Sequence, residues 1–202
     1  MTTREVFRLL VELPWIVFVV YWIIAGLKTR PTRSQESFTS RYTILLIEVV
    51  GYALIFIRST GIGILEARFM PRSLAGAILG VILTWSGIGL AIWARYHLAE
   101  NWSARVTIKE DHQLIRTGPY SRLRHPIYSG LILATIGSAI VIDQWRCVLG
   151  LCLVVIGYCL KARKEEAMLI QQFGDAFRDH QKQTGFLFPR FRREVTRAAA
   201  RS

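Results

Sequence analysis

Hydrophobic residues along this chain are gathered into long blocks. The length of each block is close to the length that a helix needs to cross a lipid bilayer, which is about 20 residues. Runs such as ILLIEVVGYALIFI are apolar on every side and lack the polar face of a soluble all-α bundle, which is the alternative. The pattern predicts an all-α, polytopic membrane protein with about five transmembrane helices. They cover Leu9–Leu27, Tyr42–Ile57, Leu74–Ala94, Pro126–Ile142 and Trp145–Leu160.

Short gaps and small residues predict how these helices pack. Only Asp143 and Gln144 separate the last two blocks, so we expect these blocks to form a tight helical hairpin. Glycines recur where membrane helices could approach each other closely. The positions are Gly76, Gly80, Gly87, Gly89, Gly130, Gly137, Gly150 and Gly157.

The segment after the last block, 161–185, mixes charged and apolar residues. Its apolar residues Leu169, Phe173 and Phe177 recur one helical turn apart. This spacing predicts a C-terminal cytoplasmic amphipathic helix that lies on the bilayer or against the bundle. The motif GFLFPRF that follows combines aromatic and basic residues, as an anchor at the membrane interface would. Beyond Arg193 we expect a disordered tail.

Composition fits this picture. The chain has 202 residues, a hydrophobic fraction of 52% and a formal net charge of +12. The length suits a single domain, divided into three N-terminal spans (1–95), a region that carries the polar motifs (96–193) and the tail (194–202). A basic chain could bind nucleic acid, anionic lipid or an acidic small molecule. The apolar blocks favour the membrane, and we expect no nucleic-acid partner.

Basic residues are divided unevenly between the two ends of the predicted spans. With five spans, the segments 28–41, 95–124 and 161–202 share one side and carry 20 of the 26 Lys and Arg residues. Cytoplasmic loops collect Lys and Arg. The charge distribution therefore predicts a multi-pass integral membrane protein with its N-terminus outside and its C-terminus in the cytoplasm.

The stretch 112–130, HQLIRTGPYSRLRHPIYSG, is the first candidate for chemistry. Proline is favoured in the first turn of a helix, so Pro126 should begin the fourth span and leave the next backbone amides without helical partners. Such a helix start attracts a carboxylate or phosphate, and Arg122, Arg124 and His125 surround it. Anchoring at the membrane interface is the alternative for any one of these side chains.

A second polar cluster follows the fifth span. Lys161 and Glu165 are one helical turn apart, which taken alone predicts an ion pair on a solvated helix. The predicted hairpin brings this cluster next to the first one. Glu48, inside the second span, needs a partner or a polar cavity. The chain has no HExxH motif and no Cys/His array, so we expect no metal site.

The motif RHPIYSG is followed later in the chain by two adjacent glutamates, Glu165 and Glu166. With these two features the chain resembles the isoprenylcysteine carboxyl methyltransferase family of integral membrane enzymes. The first three spans match only as generic membrane helices, whereas the C-terminal half carries the family's motifs in order. Phospholipid N-methyltransferases share a similar RHPxYxG and EE pattern, so methyl transfer is better supported than the acceptor. The matching pieces are HQLI (112–115), GPY (118–120), RHPIYSG (124–130), EEAMLIQQFG (165–174) and TGFLFP (184–189).

The resemblance implies that S-adenosyl-L-methionine binds in a cytoplasm-facing pocket formed by the last two spans and the C-terminal helix. The implied cofactor contacts are His112, Gln113, Leu114, Ile115, Tyr120, His125, Pro126, Ile127, Tyr128, Glu165 and Glu166.

The implied catalytic residues are Lys161, Arg163 and Glu165. The family typically has arginine one turn before the glutamate, and lysine keeps the charge without the bidentate fork. Arg163 could supply the fork if the helix is rotated. The implied methyl acceptor is a lipidic or isoprenylcysteine-like carboxylate in the membrane.

Two alternatives remain at the level of sequence. The chain could be a phospholipid N-methyltransferase, or a non-catalytic membrane binding protein that kept the fold. A membrane reductase is disfavoured because the chain has no glycine-rich nicotinamide fingerprint.

Overall fold

The computed structural model describes residues 2–26, 32–35, 38–71, 73–98, 107–109 and 114–190, and of 32–35, 38–41 and 107–109 it describes the backbone. Helices dominate the described chain. A 3-10 turn at Gly118–Ser121 precedes the fourth long apolar helix. The helices are α1 (Thr3–Gly26), α2 (Phe38–Phe56), α3 (Gly63–Glu66), α4 (Leu74–Leu98), α5 (Pro126–Ile142), α6 (Trp145–Phe173) and α7 (Asp175–Gln183).

All five predicted blocks form helices. By length and composition, α1, α4 and α6 can cross a membrane, while the apolar helical stretches Tyr42–Phe56 and Pro126–Ile142 are shorter. Large apolar side chains on the outside of the bundle are exposed, among them Ile16, Ile23 and Leu46. Such a surface suits lipid rather than water. The chain is a multi-pass integral membrane protein, and the count of five spans remains a prediction.

The predicted hairpin between α5 and α6 is confirmed at its turn. Asp143 adopts the left-handed backbone conformation, with a φ of 55°, and ends α5, and Gln144 precedes α6. The Asp143 carboxylate accepts a hydrogen bond of 3.0 Å from the Met70 amide and forms an ion pair with Arg68. These contacts tie the turn to the loop between α3 and α4. The two helices therefore return to the same end of the bundle.

The long helices pack in two antiparallel pairs. In one pair α5 lies along α4, and in the other α6 lies along α2. Glycines permit the contact in both pairs. A Cβ on Gly87 would collide with the backbone of Gly130 and Ala134. A Cβ on Gly150 would lie 2.8 Å from the Ile55 side chain. The members of the hairpin thus have their largest contacts with earlier helices rather than with each other.

The glycine prediction is confirmed at six positions and wrong at two. A Cβ on Gly76 would meet the neighbouring Ser73 Oγ, at 2.9 Å, and one on Gly89 would meet no described residue within 4 Å. A GxxxG spacing places two glycines on one helix face, but the partner helix approaches at Gly80. The glycines in close contact are Gly80, Gly87, Gly130, Gly137, Gly150 and Gly157.

Two short strands depart from the all-α prediction. The strand β1 (Thr32–Gln35) follows α1, and β2 (Thr107–Lys109) follows α4. They pair antiparallel, with Thr32 opposite Lys109, and β2 also contacts α6. The loops after the first and third predicted spans therefore meet at one end of the bundle. Strands of three or four residues are too short to produce a detectable period in the sequence.

The C-terminal helix differs from its prediction in extent. The helix α6 continues beyond Leu160 to Phe173 without a break, and Gly174, with a φ of 52°, ends it. The next helix, α7, buries Phe177 and His180 against the protein. A cytoplasmic amphipathic helix at this end of the chain remains a prediction. The predicted tail, 194–202, lies outside the described residues.

Candidate active site

The start of α5 is paired with the segment that follows α7. The Arg124 amide donates to the Gly185 carbonyl at 2.9 Å, and the His125 amide donates to the Phe186 carbonyl at 3.3 Å. Pro126 begins the helix as predicted, and no described side chain caps it. This backbone pairing fixes the positions from which the Arg124 and His125 side chains leave the chain.

Glu166 of α6 lies at the centre of a hydrogen-bond cluster. Its Oε1 accepts from Arg124 Nε at 2.5 Å and lies 3.1 Å from His125 Nε2. Its Oε2 accepts from Gln181 Nε2 of α7 at 2.8 Å. Arg124 Nη1 also donates to the Thr184 carbonyl at 2.6 Å. Because both carboxylate oxygens are engaged, Glu166 joins α5, α6 and α7 to one another.

Glu165 has different surroundings. Its Oε2 accepts from the Tyr128 hydroxyl at 3.0 Å and lies 3.6 Å from His125 Nδ1. Its side chain is 36% exposed, compared with 13% for Glu166. The second oxygen, Oε1, has no hydrogen bond to any residue that the structure describes. Glu165 is therefore the member of the pair that can accept hydrogen bonds from a ligand.

His125 lies between the two glutamates and is 5% exposed. Its ring stacks on Tyr128, with centroids 5.5 Å apart, and meets the edge of Phe186 at 5.2 Å. Burial alone would lower the pKa of His125, but the hydrogen bonds and charges of Glu165 and Glu166 outweigh it and raise the pKa above its usual value. The site thus favours the imidazolium form.

Lys161 lies one turn before Glu165 on the same face of α6. Its Nζ is 3.9 Å from Glu48 Oε2 of α2 and 5.8 Å from the centre of the Tyr128 ring. Arg163 is exposed. Two residues along an α-helix correspond to a rotation of about 200°, so Arg163 leaves α6 on another face. The structure accordingly brings Lys161, and not Arg163, next to the glutamate pair.

Residues 79–171 match the sequence profile of the isoprenylcysteine carboxyl methyltransferase (ICMT) family. This part of the chain, which is less than half of its length, is similar to that family. The matched stretch contains RHPIYSG and the glutamate pair Glu165 and Glu166, so the resemblance seen in the sequence is confirmed.

A solved structure of this family has the same fold. It is described as the eukaryotic intramembrane Ras methyltransferase ICMT, determined without a monobody, and it matches with a TM-score of 0.53 and 24% sequence identity. The match covers 76% of this chain and 54% of that one. This chain therefore spans about half the length of that methyltransferase. Curated proteins give no match to the chain.

The structure brings together four of the contacts that the ICMT resemblance implies, namely His125, Tyr128, Glu165 and Glu166. Lys161 joins them through Tyr128. The roles of these residues in binding or catalysis remain predictions.

Other implied contacts have different positions. Tyr120, Pro126 and Ile127 are buried in the interior, where they support the start of α5. Ile115, next to Leu114, is half-buried and packs against the core. His112 and Gln113 lie outside the described residues.

Sequence reasoning missed three contributors to the site. Glu48 was recognised as a charge that needs a partner, but no pattern identified Lys161 as that partner. Gln181 had no signal at all, because a glutamine on a polar helix is common, and the matching piece TGFLFP gave no role to Thr184. Part of their contribution comes from backbone carbonyls that accept from Arg124, and any residue type supplies a carbonyl.

Proposed function

We propose that this chain is a membrane methyltransferase that uses S-adenosyl-L-methionine and methylates the carboxylate of a lipidic, isoprenylcysteine-like acceptor. One observation carries the proposal: Tyr128 and His125, at the start of α5, contact Glu165 on the extension of α6. The match of residues 79–171 to the ICMT family and the shared fold support it. The Ras methyltransferase activity belongs to the solved relative, and its extension to this chain is part of the proposal.

The site fits the charged parts of S-adenosyl-L-methionine, which carries a carboxylate, an ammonium and ribose hydroxyls. Glu165 has a carboxylate oxygen to accept from an ammonium or hydroxyl. The uncapped start of α5 and the positive charge of His125 suit the cofactor's carboxylate. Glu166 would hold Arg124 and His125 in place without touching the cofactor.

A carboxylate acceptor suits this site because it needs no general base. The cofactor supplies an electrophilic methyl group on a sulfonium, which a carboxylate oxygen attacks in line. The chain then has to orient the acceptor and exclude water. Lys161 would bind the acceptor's carboxylate through its ammonium group. The apolar outer faces of α2 and α6 offer a lateral path from the bilayer for the lipid chain.

Calorimetry and methyl transfer on the full chain in detergent test the proposal. We expect cofactor binding, and we expect Glu165→Gln to weaken it about tenfold, because a hydrogen bond to a charged group contributes about 1.5–3 kcal/mol. Asp179→Asn on α7 is the matched control, since that carboxylate is exposed and pairs with Lys182. It should bind the cofactor like the wild type.

The nature of the product identifies the acceptor. With an S-farnesylated N-acetylcysteine as the probe, labelled methyl should appear in a base-labile ester. Label in base-stable lipid would instead support phospholipid N-methylation. Folded protein that gives no heat of binding with the cofactor would contradict the proposed function.

A further inference from the structure

Glu48 of α2 forms part of the wall of the candidate site from the N-terminal half of the chain. It is 8% exposed, and its Oε2 lies 3.9 Å from Lys161 Nζ. Gly157 makes room for it, because a Cβ at that position would lie 2.8 Å from Glu48 Cγ. Gly157 precedes Lys161 by one turn of α6. The Glu48 carboxylate therefore lies next to the turn from which the Lys161 side chain extends.

The ammonium of Lys161 has neighbours on two sides. The Tyr128 ring lies 5.8 Å from Nζ and stacks in turn on Tyr158, with ring centroids 5.0 Å apart. Glu48 provides the opposite charge, and the Lys161 side chain is 23% exposed. A lysine has a flexible four-carbon stem, so its direction depends on such neighbours.

We propose that Glu48 is a positioning residue that keeps the Lys161 ammonium directed towards the acceptor's carboxylate. The inference rests on the proposed function, because it assigns Lys161 to the acceptor. Glu165, one turn further along α6, faces the cofactor side. Gly157, Lys161 and Glu165 then lie one turn apart on the same face of α6, in order from the membrane towards the cofactor. Glu48 of α2 holds Lys161, which is the middle residue of the three. The second helix thus contributes to activity and not only to anchoring.

Turnover kinetics of four proteins test this inference: the wild type, Glu48→Gln, Lys161→Met and the double variant. With the S-farnesylated N-acetylcysteine probe, we expect Glu48→Gln to lower kcat at least about tenfold, because small displacements of an orienting group have effects of this size. In the Lys161→Met background the same change should have less than about a twofold effect, since residues that act as a unit are not additive. Equal effects in both backgrounds would overturn the inference.

Cofactor affinity distinguishes a loss of Lys161 positioning in the Glu48→Gln variant from damage to its fold. We expect Glu48→Gln to bind S-adenosyl-L-methionine within about twofold of the wild type, whereas a disturbed bundle would lose affinity. Glu12→Gln on α1 is the matched control, because its carboxylate pairs with Arg8 away from the site. This control should leave kcat unchanged.

A labelling experiment tests Glu48 without turnover. Reaction of Lys161 with an amine-reactive reagent, followed by mass spectrometry, reports how firmly the ammonium is held. We expect Glu48→Gln to raise the labelling rate at least about threefold, because the flexible Lys161 side chain is then no longer held beside α2 and its amine meets the reagent more often. An unchanged rate overturns the role of Glu48 even if the protein is a methyltransferase. A raised rate in a protein without turnover supports it while the proposed function fails.

Discussion

At the residue scale, the two adjacent glutamates of the site differ in what holds them. Glu166 bridges Arg124, His125 and Gln181, while Glu165 leaves one oxygen open. We expect Glu166→Gln to lower the free energy of unfolding by about 1–3 kcal/mol, because it leaves buried charged partners without their carboxylate. Glu165→Gln should cost much less stability. Thermal unfolding in detergent measures both, and equal losses would contradict this division of roles.

Two buried histidines near the site should respond to pH in opposite directions. The raised pKa of His125 gives stability that is complete below the unfolded pKa of about 6.5 and is lost as pH rises through the folded pKa. Burial, Arg116 and Arg124 lower the pKa of His180, so its contribution is present above about 6.5 and is lost as pH falls.

Variants can separate the two histidines. The difference in unfolding midpoint between the wild type and His125→Gln should shrink as pH rises above about 6.5, and the difference for His180→Gln should grow as pH rises towards about 6.5. Unfolding scans of the three proteins over this range measure both slopes. Slopes of the same sign would contradict the charge state assigned to one of the two histidines.

At the element scale, the contact of α4 with α5 depends on glycine at particular turns. A Cβ on Gly87 would collide with the backbone of α5, and backbone cannot move aside as a flexible side chain can. We expect Gly87→Ala to lower the free energy of unfolding by about 1–3 kcal/mol through overpacking. Gly89→Ala is the matched control, because none of the residues that the structure describes lies within 4 Å of its Cβ position. Similar melting of both variants would contradict this packing.

At the scale of the whole molecule, the charge distribution predicts which end of the bundle faces the cytoplasm. The pairing of β1 with β2 shows that two of the basic loops share one end, but it does not identify the compartment. We expect a membrane-impermeant thiol reagent to label Thr3→Cys on intact cells and Lys182→Cys only after the membrane is disrupted. Unmodified protein controls for the native cysteines of α6. The reverse pattern would invert the topology.

Much of the fold could be predicted from the sequence, because long apolar blocks leave few alternatives. The blocks, the turn at Asp143 and Gln144, and the helix start at Pro126 are local features, and each appears in the structure. The continuation of α6 to Phe173 was missed because charge marks where a span leaves the membrane, not where a helix ends. The strands and the break at Gly174 depend on contacts between distant segments.

By itself the sequence determined the membrane class, the family motifs and the meeting of the two polar clusters, since a hairpin with a two-residue turn returns its ends to one place. Tertiary structure decided which side chains share that place. Packing of α2 on α6 put Glu48 beside Lys161. Arg124 and His125 at the start of α5 engaged one oxygen of Glu166, Gln181 of α7 engaged the other, and Glu165 kept an open one. Side chains this far apart in sequence meet through close helix packing and backbone hydrogen bonds. Neither leaves a pattern in a single sequence.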